Sequence, residues 1–154
     1  MKKVKILWAT ALGLLYVVVV SFISAIIVDT NSTFYITLNK PSFMPSGIVF
    51  SIIWGIVYLF LGITFTEMFA KNPQLDVVIS YIFLGLNNFI YLFSFFRLYS
   101  TIAGLIFCIT GAIISFYLLC RLSKLKIYSS FLFLFIFSWY LFASILSYYI
   151  VIMN

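Results

Sequence analysis

Phe34-Tyr-Ile-Thr-Leu-Asn-Lys-Pro-Ser-Phe-Met-Pro-Ser-Gly47 is the one sizeable polar, proline-bearing stretch in a chain that otherwise reads as nearly continuous membrane helix. Pro41 and Pro45 lack amide hydrogens and hold φ fixed, so no uninterrupted helix passes through it. A short helical turn fits around Tyr35–Leu38. The stretch joins the first apolar run to the second and is too long for a minimal hairpin. A loop of this kind, from Thr30 to about Ser46, is placed to cover a cavity between helices.

Outward from the loop, the composition sets the solvent. The chain has 154 residues, 66% hydrophobic and 8% charged, with 21% aromatic. A soluble fold of this size cannot hide that much apolar surface, so lipid is the solvent for most of it. A span needs roughly 20 apolar residues. The expected spans are Ile6–Val28, Gly47–Phe69, Val77–Phe96, Thr101–Cys120 and Ile127–Met153. The fold class is thus an all-α membrane protein: a bundle of five transmembrane helices with a long loop between helices 1 and 2, in a single domain over 1–154. The run after Met-Lys-Lys-Val-Lys exceeds a signal-peptide core and has no convincing cleavage site, so it reads as a retained first span.

The net charge of +6 falls in short loops, which is a topology signal rather than a nucleic-acid footprint. Lys2, Lys3, Lys5, Lys71, Arg121, Lys124 and Lys126 share one side, and Lys40 and Arg97 lie on the other. The bias puts the N-terminus in the cytoplasm and the C-terminus and the 30–46 loop outside.

The residue inventory limits the chemistry. There is no histidine, which removes the commonest metal ligand and general base. Asp29, Glu67 and Asp76 all sit near span ends, so no carboxylate pair or nucleophile–base pair assembles, and no coupling-ion site is evident. For Glu67 the reading is a cap on the turn that follows it. Cys108 and Cys120 lie twelve residues apart on one helix, roughly 18 Å, too far to pair. No metal site is expected.

The buried polar residues are Asn87 and Asn88, each needing a partner on another helix or on a ligand. Asn88, Tyr91 and Phe95 share one face of the third span; Trp139, Ala143 and Ser147 share one face of the fifth. Trp54 and Tyr58 lie one turn apart. Trp139 and Phe93, near mid-span, call for a packing or ligand role. Gly55 and Gly62, and Gly104 and Gly111, have heptad spacing and read as helix-packing sites. An aromatic cavity with few polar groups suits a large planar apolar ligand, although aromatic stripes also build plain cores.

The loop run Phe34-Tyr35-x-x-Leu38-x-Lys40-Pro41-Ser42-Phe43-x-Pro45-x-Gly47, with Trp54 after six further residues, resembles the TspO/MBR family of tryptophan-rich sensory proteins and mitochondrial translocator proteins. Asn88-Phe-Ile-Tyr91-Leu-Phe-Ser-Phe95-Phe96 is similar to that family's third-span motif. Trp139-Tyr-Leu-Phe142-Ala143-Ser144-Ile-Leu146-Ser147-Tyr148 is similar to its last-span motif. Departures from the pattern are Phe34, Phe43 and Tyr91 in place of tryptophan, Ser46 and Phe135 in place of proline, Leu92 at a polar position, and Gly104 near the fourth-span acid.

The resemblance implies a homodimeric five-helix bundle. It implies porphyrin as ligand, protoporphyrin IX in particular, and isoquinoline- or benzodiazepine-type molecules, with no required cofactor. Carried over position by position, the ligand site comprises Tyr35, Pro45, Trp54, Asn88, Phe95, Trp139, Ala143 and Ser147. Trp54 and Trp139 match the pair that the family links to light- and oxygen-dependent breakdown of protoporphyrin IX, so a catalytic role attaches to them if that activity is present. No Lys or Arg follows Lys126, so the animal members' sterol-recognition pattern is absent and sterol is not an expected ligand. A bacterial cell membrane is the expected location. Sensor, porphyrin-degrading enzyme and facilitator of porphyrin passage stand as the three functional readings.

Overall fold

The computed structural model describes residues 2–71 and 74–154, with the side chains of residues 2–5 left aside. Asn72 and Pro73, in the turn expected at 70–76, and the side chains of Lys2, Lys3 and Lys5 lie outside the described residues.

Among the described residues six α-helices follow in order: α1 Lys2–Ile27, α2 Thr33–Thr37, α3 Gly47–Ala70, α4 Leu75–Phe96, α5 Thr101–Lys124 and α6 Leu132–Met153. A 3-10 turn, Tyr128–Phe131, leads into α6. Five of these elements are long and apolar enough to cross a bilayer, and the long loop carries only the single short helix α2. The chain is an integral, multi-pass membrane protein.

Local chemistry sets the helix starts. Ser32, Ser46 and Ser100 each sit in extended backbone and accept an amide hydrogen from three residues on, the N-cap geometry. α5 runs on to Lys124, four residues beyond the expected Cys120. The extension is held by Arg121, whose guanidinium reaches Asp76 at 2.7 Å and Gln74.

The spans form a closed ring in the order α3, α1, α4, α5, α6. α1 and α3 meet at Gly13 and Gly62. A Cβ on Gly13 would strike the Thr66 hydroxyl, and one on Gly62 would strike Val17, so the backbones themselves touch. Gly104 and Gly111 do the same for the rings of Phe95 and Tyr140. Gly55 differs from the packing role expected of it. Nothing lies within 4 Å of the place its Cβ would take, and it faces open space. Phe93 lies on the lipid-facing surface, stacked on Phe89.

One large apolar cluster fills the bundle around Tyr58, Met68, Tyr81, Phe133, Ile136 and Tyr140. A smaller one lies under the loop around Ile27, Leu92, Phe95, Phe96, Leu146 and Ile150. Polar groups inside are bonded across helices: Tyr81 to Thr64 at 2.5 Å, and the Asn87 amide to the Phe107 carbonyl at 2.9 Å. Both cysteines are free, Cys108 buried and Cys120 exposed.

Charged groups gather at the end away from the loop. Glu67 pairs with Lys71 at 2.8 Å and also accepts from the amides of Tyr128 and Ser129 and from the Ser129 hydroxyl. It therefore caps the 3-10 turn before α6, sixty-one residues on; Asn72 and Pro73 of the turn that follows it lie outside the described residues. The reason is satisfaction: those amides open a helical segment and have no partner within it.

Candidate ligand cavity beneath the first loop

A cavity of about 380 Å³ opens at the loop end of the bundle. Four spans and the loop build it, and α5 stands outside. α1 gives Ser21, Ser24, Ala25 and Val28; α3 gives Gly47, Phe50, Ser51, Trp54, Gly55 and Tyr58. α4 gives Tyr91, Leu92, Phe95 and Phe96, and α6 gives Ala143, Leu146, Ser147 and Ile150. Thr30, Tyr35, Met44 and Pro45 form the roof.

The roof is fastened down. The Asn39 amide donates to Asn154 Oδ1 at 2.9 Å, Asn154 Nδ2 donates back to the Asn39 carbonyl at 3.0 Å, and Asn39 Nδ2 donates to the Met153 carbonyl at 3.1 Å. Lys40 Nζ donates to the Tyr35 carbonyl and lies 4.1 Å from the centre of the Tyr35 ring, a cation–π contact that stiffens the loop. Phe43 packs edge-on against Phe142 and Tyr149, and Phe34 against Phe95. Phenylalanine at both loop positions thus anchors the roof through rings alone. Partial burial pushes the Tyr35 phenol above its ordinary range, so it stays a neutral donor.

The floor is a short hydrogen-bond chain across three helices. Asn88 Nδ2 donates to the Tyr58 hydroxyl at 2.9 Å, and that hydroxyl lies 2.8 Å from Ser24 Oγ, which also reaches the Val20 carbonyl at 2.8 Å. Ser24 spends its proton on Val20, so Tyr58 donates to Ser24. At the α6 wall, Ser147 Oγ meets Cys108 Sγ at 3.4 Å.

Six of the eight expected ligand residues line this cavity: Tyr35, Pro45, Trp54, Phe95, Ala143 and Ser147. Asn88 and Trp139 stand behind the lining. Asn88, 4% exposed, acts through Tyr58. Trp139, 8% exposed, backs Trp54 edge-on at 6.3 Å between ring centres and packs on Phe50 and Phe142. Its indole Nε1 and Asn88 Oδ1 are buried and have no hydrogen-bond partner among the described residues.

Sequence reasoning missed the α1 wall. Its signal was present: Ser21, Ser24 and Ala25 are small or polar at i, i+3 and i+4 in a run otherwise of large apolar residues. Among the described residues, no group of three His, Cys, Asp or Glu side chains is placed to hold a metal.

A comparison with curated proteins finds no match. The TspO/MBR family model, in contrast, matches residues 11–153, nearly the whole chain. Together with five spans and a roofed aromatic cavity, this match shows that the chain belongs to the TspO/MBR family.

Proposed function

We propose that this protein binds a metal-free porphyrin, protoporphyrin IX being the candidate, in the cavity beneath the first loop, and acts as a membrane sensor or translocator. Family membership supports the general class, a membrane tetrapyrrole-binding role of sensor or translocator type. The observation that carries the specific reading is the cavity itself: about 380 Å³, walled by Trp54, Tyr58, Tyr91, Phe95 and Phe96, with hydroxyls at its floor. Ligand sites are mostly apolar, span roughly 300–1,000 Å³ and carry a few orienting polar groups. Isoquinoline- and benzodiazepine-type molecules suit the same walls. The site needs no cofactor, and sterol is not a proposed ligand.

The proposed orientation follows the charges, with Lys71, Arg121, Lys124 and Lys126 cytoplasmic and the loop outside. The functional unit is proposed to be a homodimer in a bacterial cell membrane.

Titrating protoporphyrin IX into purified protein tests the reading. The expected affinity is about micromolar. Binding unchanged in the Trp54→Phe, Trp139→Phe, Tyr35→Ala triple variant sinks it.

The edge-on Trp54–Trp139 pair favours a second reading, light- and oxygen-dependent degradation of the bound porphyrin. Illumination in air then yields a product spectrum that both tryptophans are needed to form. Bleaching identical in the double phenylalanine variant rules that mechanism out. Facilitated passage of porphyrin is the third reading, and a liposome flux assay decides it.

A further inference from the structure

We infer that the cavity opens sideways into the bilayer through a slot between α1 and α3, and that a membrane-dissolved ligand enters there rather than through the loop. Lipid-facing positions ordinarily hold large apolar side chains. On α1, Phe22 and Ile26 face outward at 66% and 57% exposure, as large apolar residues in contact with acyl chains do. Beside them runs a different row: Ser21, Ala25 and Val28, at i, i+4 and i+7, are exposed and also line the cavity. Opposite, on α3, Gly47, Ser51 and Gly55, at i, i+4 and i+8, are likewise exposed and line the cavity. A residue that meets both the outside and the cavity marks an opening.

The helix geometry explains why the opening lies there. α1 and α3 touch backbone to backbone at Gly13 and Gly62, toward the end away from the loop. From Gly13 to Ala25 is roughly 18 Å of helix rise, and from Gly62 to Ser51 roughly 16 Å. Toward the loop that close contact is absent at Gly55 and Gly47. Side chains on both rims are too small to refill the gap, and a Cβ on Gly47 or Gly55 would meet nothing within 4 Å. The Tyr58–Ser24 hydrogen bond ties the two helices together at a level between Ser21 and Val28 of the rim. Thr30 and Pro45 of the loop form the upper edge. The rim hydroxyl of Ser51 is satisfied by the Gly47 carbonyl at 2.9 Å, so it carries no unmet bond into lipid. The loop route, in contrast, is fastened by three hydrogen bonds between Asn39 and the Met153–Asn154 end of the chain and by the Phe43 ring.

Two measurements test the slot, and the first needs no porphyrin. In the Trp8→Phe, Trp139→Phe protein, Trp54 is the sole tryptophan. Reconstituted in phosphatidylcholine brominated on its acyl chains, Trp54 is expected to be quenched relative to unbrominated lipid. Ala25→Leu with Ser51→Leu, which fills the rims, is expected to relieve the quenching; Gly47→Leu, higher on the α3 rim, serves as an independent variant. Trp54 quenched by aqueous iodide and not by brominated lipid overturns the slot. The second measurement rests on the porphyrin reading. The rim variants are expected to slow protoporphyrin IX association from vesicles by on the order of tenfold, while Asn39→Ala leaves it unchanged. Association accelerated by Asn39→Ala and untouched by the rim variants overturns lateral entry. Brominated-lipid quenching in a protein that binds no porphyrin overturns the ligand and leaves the slot standing.

Discussion

Replacing Tyr58 with phenylalanine removes one oxygen and leaves the ring where it packs, 5.7 Å from Trp54. The structure says what that oxygen holds. It accepts from Asn88 on α4 and donates to Ser24 on α1. Ser24 keeps its bond to Val20, so it is not stranded. Asn88 is: its amide loses its partner while its carbonyl already has none among the described residues. Interhelical hydrogen bonds in membrane proteins average about 0.6 kcal/mol and reach about 1.7. Leaving a buried donor stranded raises the cost to roughly 1–3 kcal/mol. The expected cost of Tyr58→Phe is therefore about 1–3 kcal/mol. At roughly 2–4 °C per kcal/mol for a chain of this size, Tm falls by about 2–12 °C in detergent micelles. The decisive control is Asn88→Leu, which removes the amide that Tyr58→Phe strands. In that background Tyr58→Phe is expected to cost at least about 1 kcal/mol less. An equal cost in both backgrounds refutes the three-helix floor.

Three further outcomes follow from the packing. Gly111→Ala drives a Cβ into the Tyr140 ring and is expected to cost about 1–3 kcal/mol, whereas Gly55→Ala meets open space and gains up to about 1 kcal/mol of helix preference; paired thermal melts read the difference. Glu67→Gln exchanges charge-assisted bonds to Lys71, Tyr128 and Ser129 for neutral ones, and about 1–2 kcal/mol of thermal stability is expected to go with them, with faster amide exchange at Tyr128 and Ser129. In the Cys108→Ala, Cys120→Ala background, Lys40→Cys is expected to react with an impermeant maleimide from outside intact cells and Lys124→Cys only after lysis; the reverse pattern inverts the topology.

Much of the fold was legible because a bilayer imposes long apolar runs and concentrates charge at their ends. All five spans and the loop with its short helix follow from residues that differ sharply from their surroundings. Helix rotation is harder to read. Lipid and core are both apolar, so a span carries little contrast between its two faces. That is why Gly55 read as a packing residue when it edges an opening, and why Asn88 and Trp139 read as lining when they stand one layer back. The bonds of Glu67 to Tyr128 and Ser129 were not legible for another reason: those partners lie sixty-one and sixty-two residues away, beyond any local pattern. The α1 wall was legible in principle, since Ser21, Ser24 and Ala25 break an otherwise bulky run.

Porphyrin binding as proposed requires the space between Tyr35, Trp54, Phe95 and Ala143. Ala143 is 2% exposed and lines the cavity from α6, so Ala143→Phe projects a ring into the space a porphyrin would take. The direct measurement is a protoporphyrin IX titration of Ala143→Phe beside the native chain, with helix content checked by circular dichroism. Saturable binding in the native protein, lost in a fully helical Ala143→Phe, is the predicted result. Native-like affinity in that variant contradicts the account.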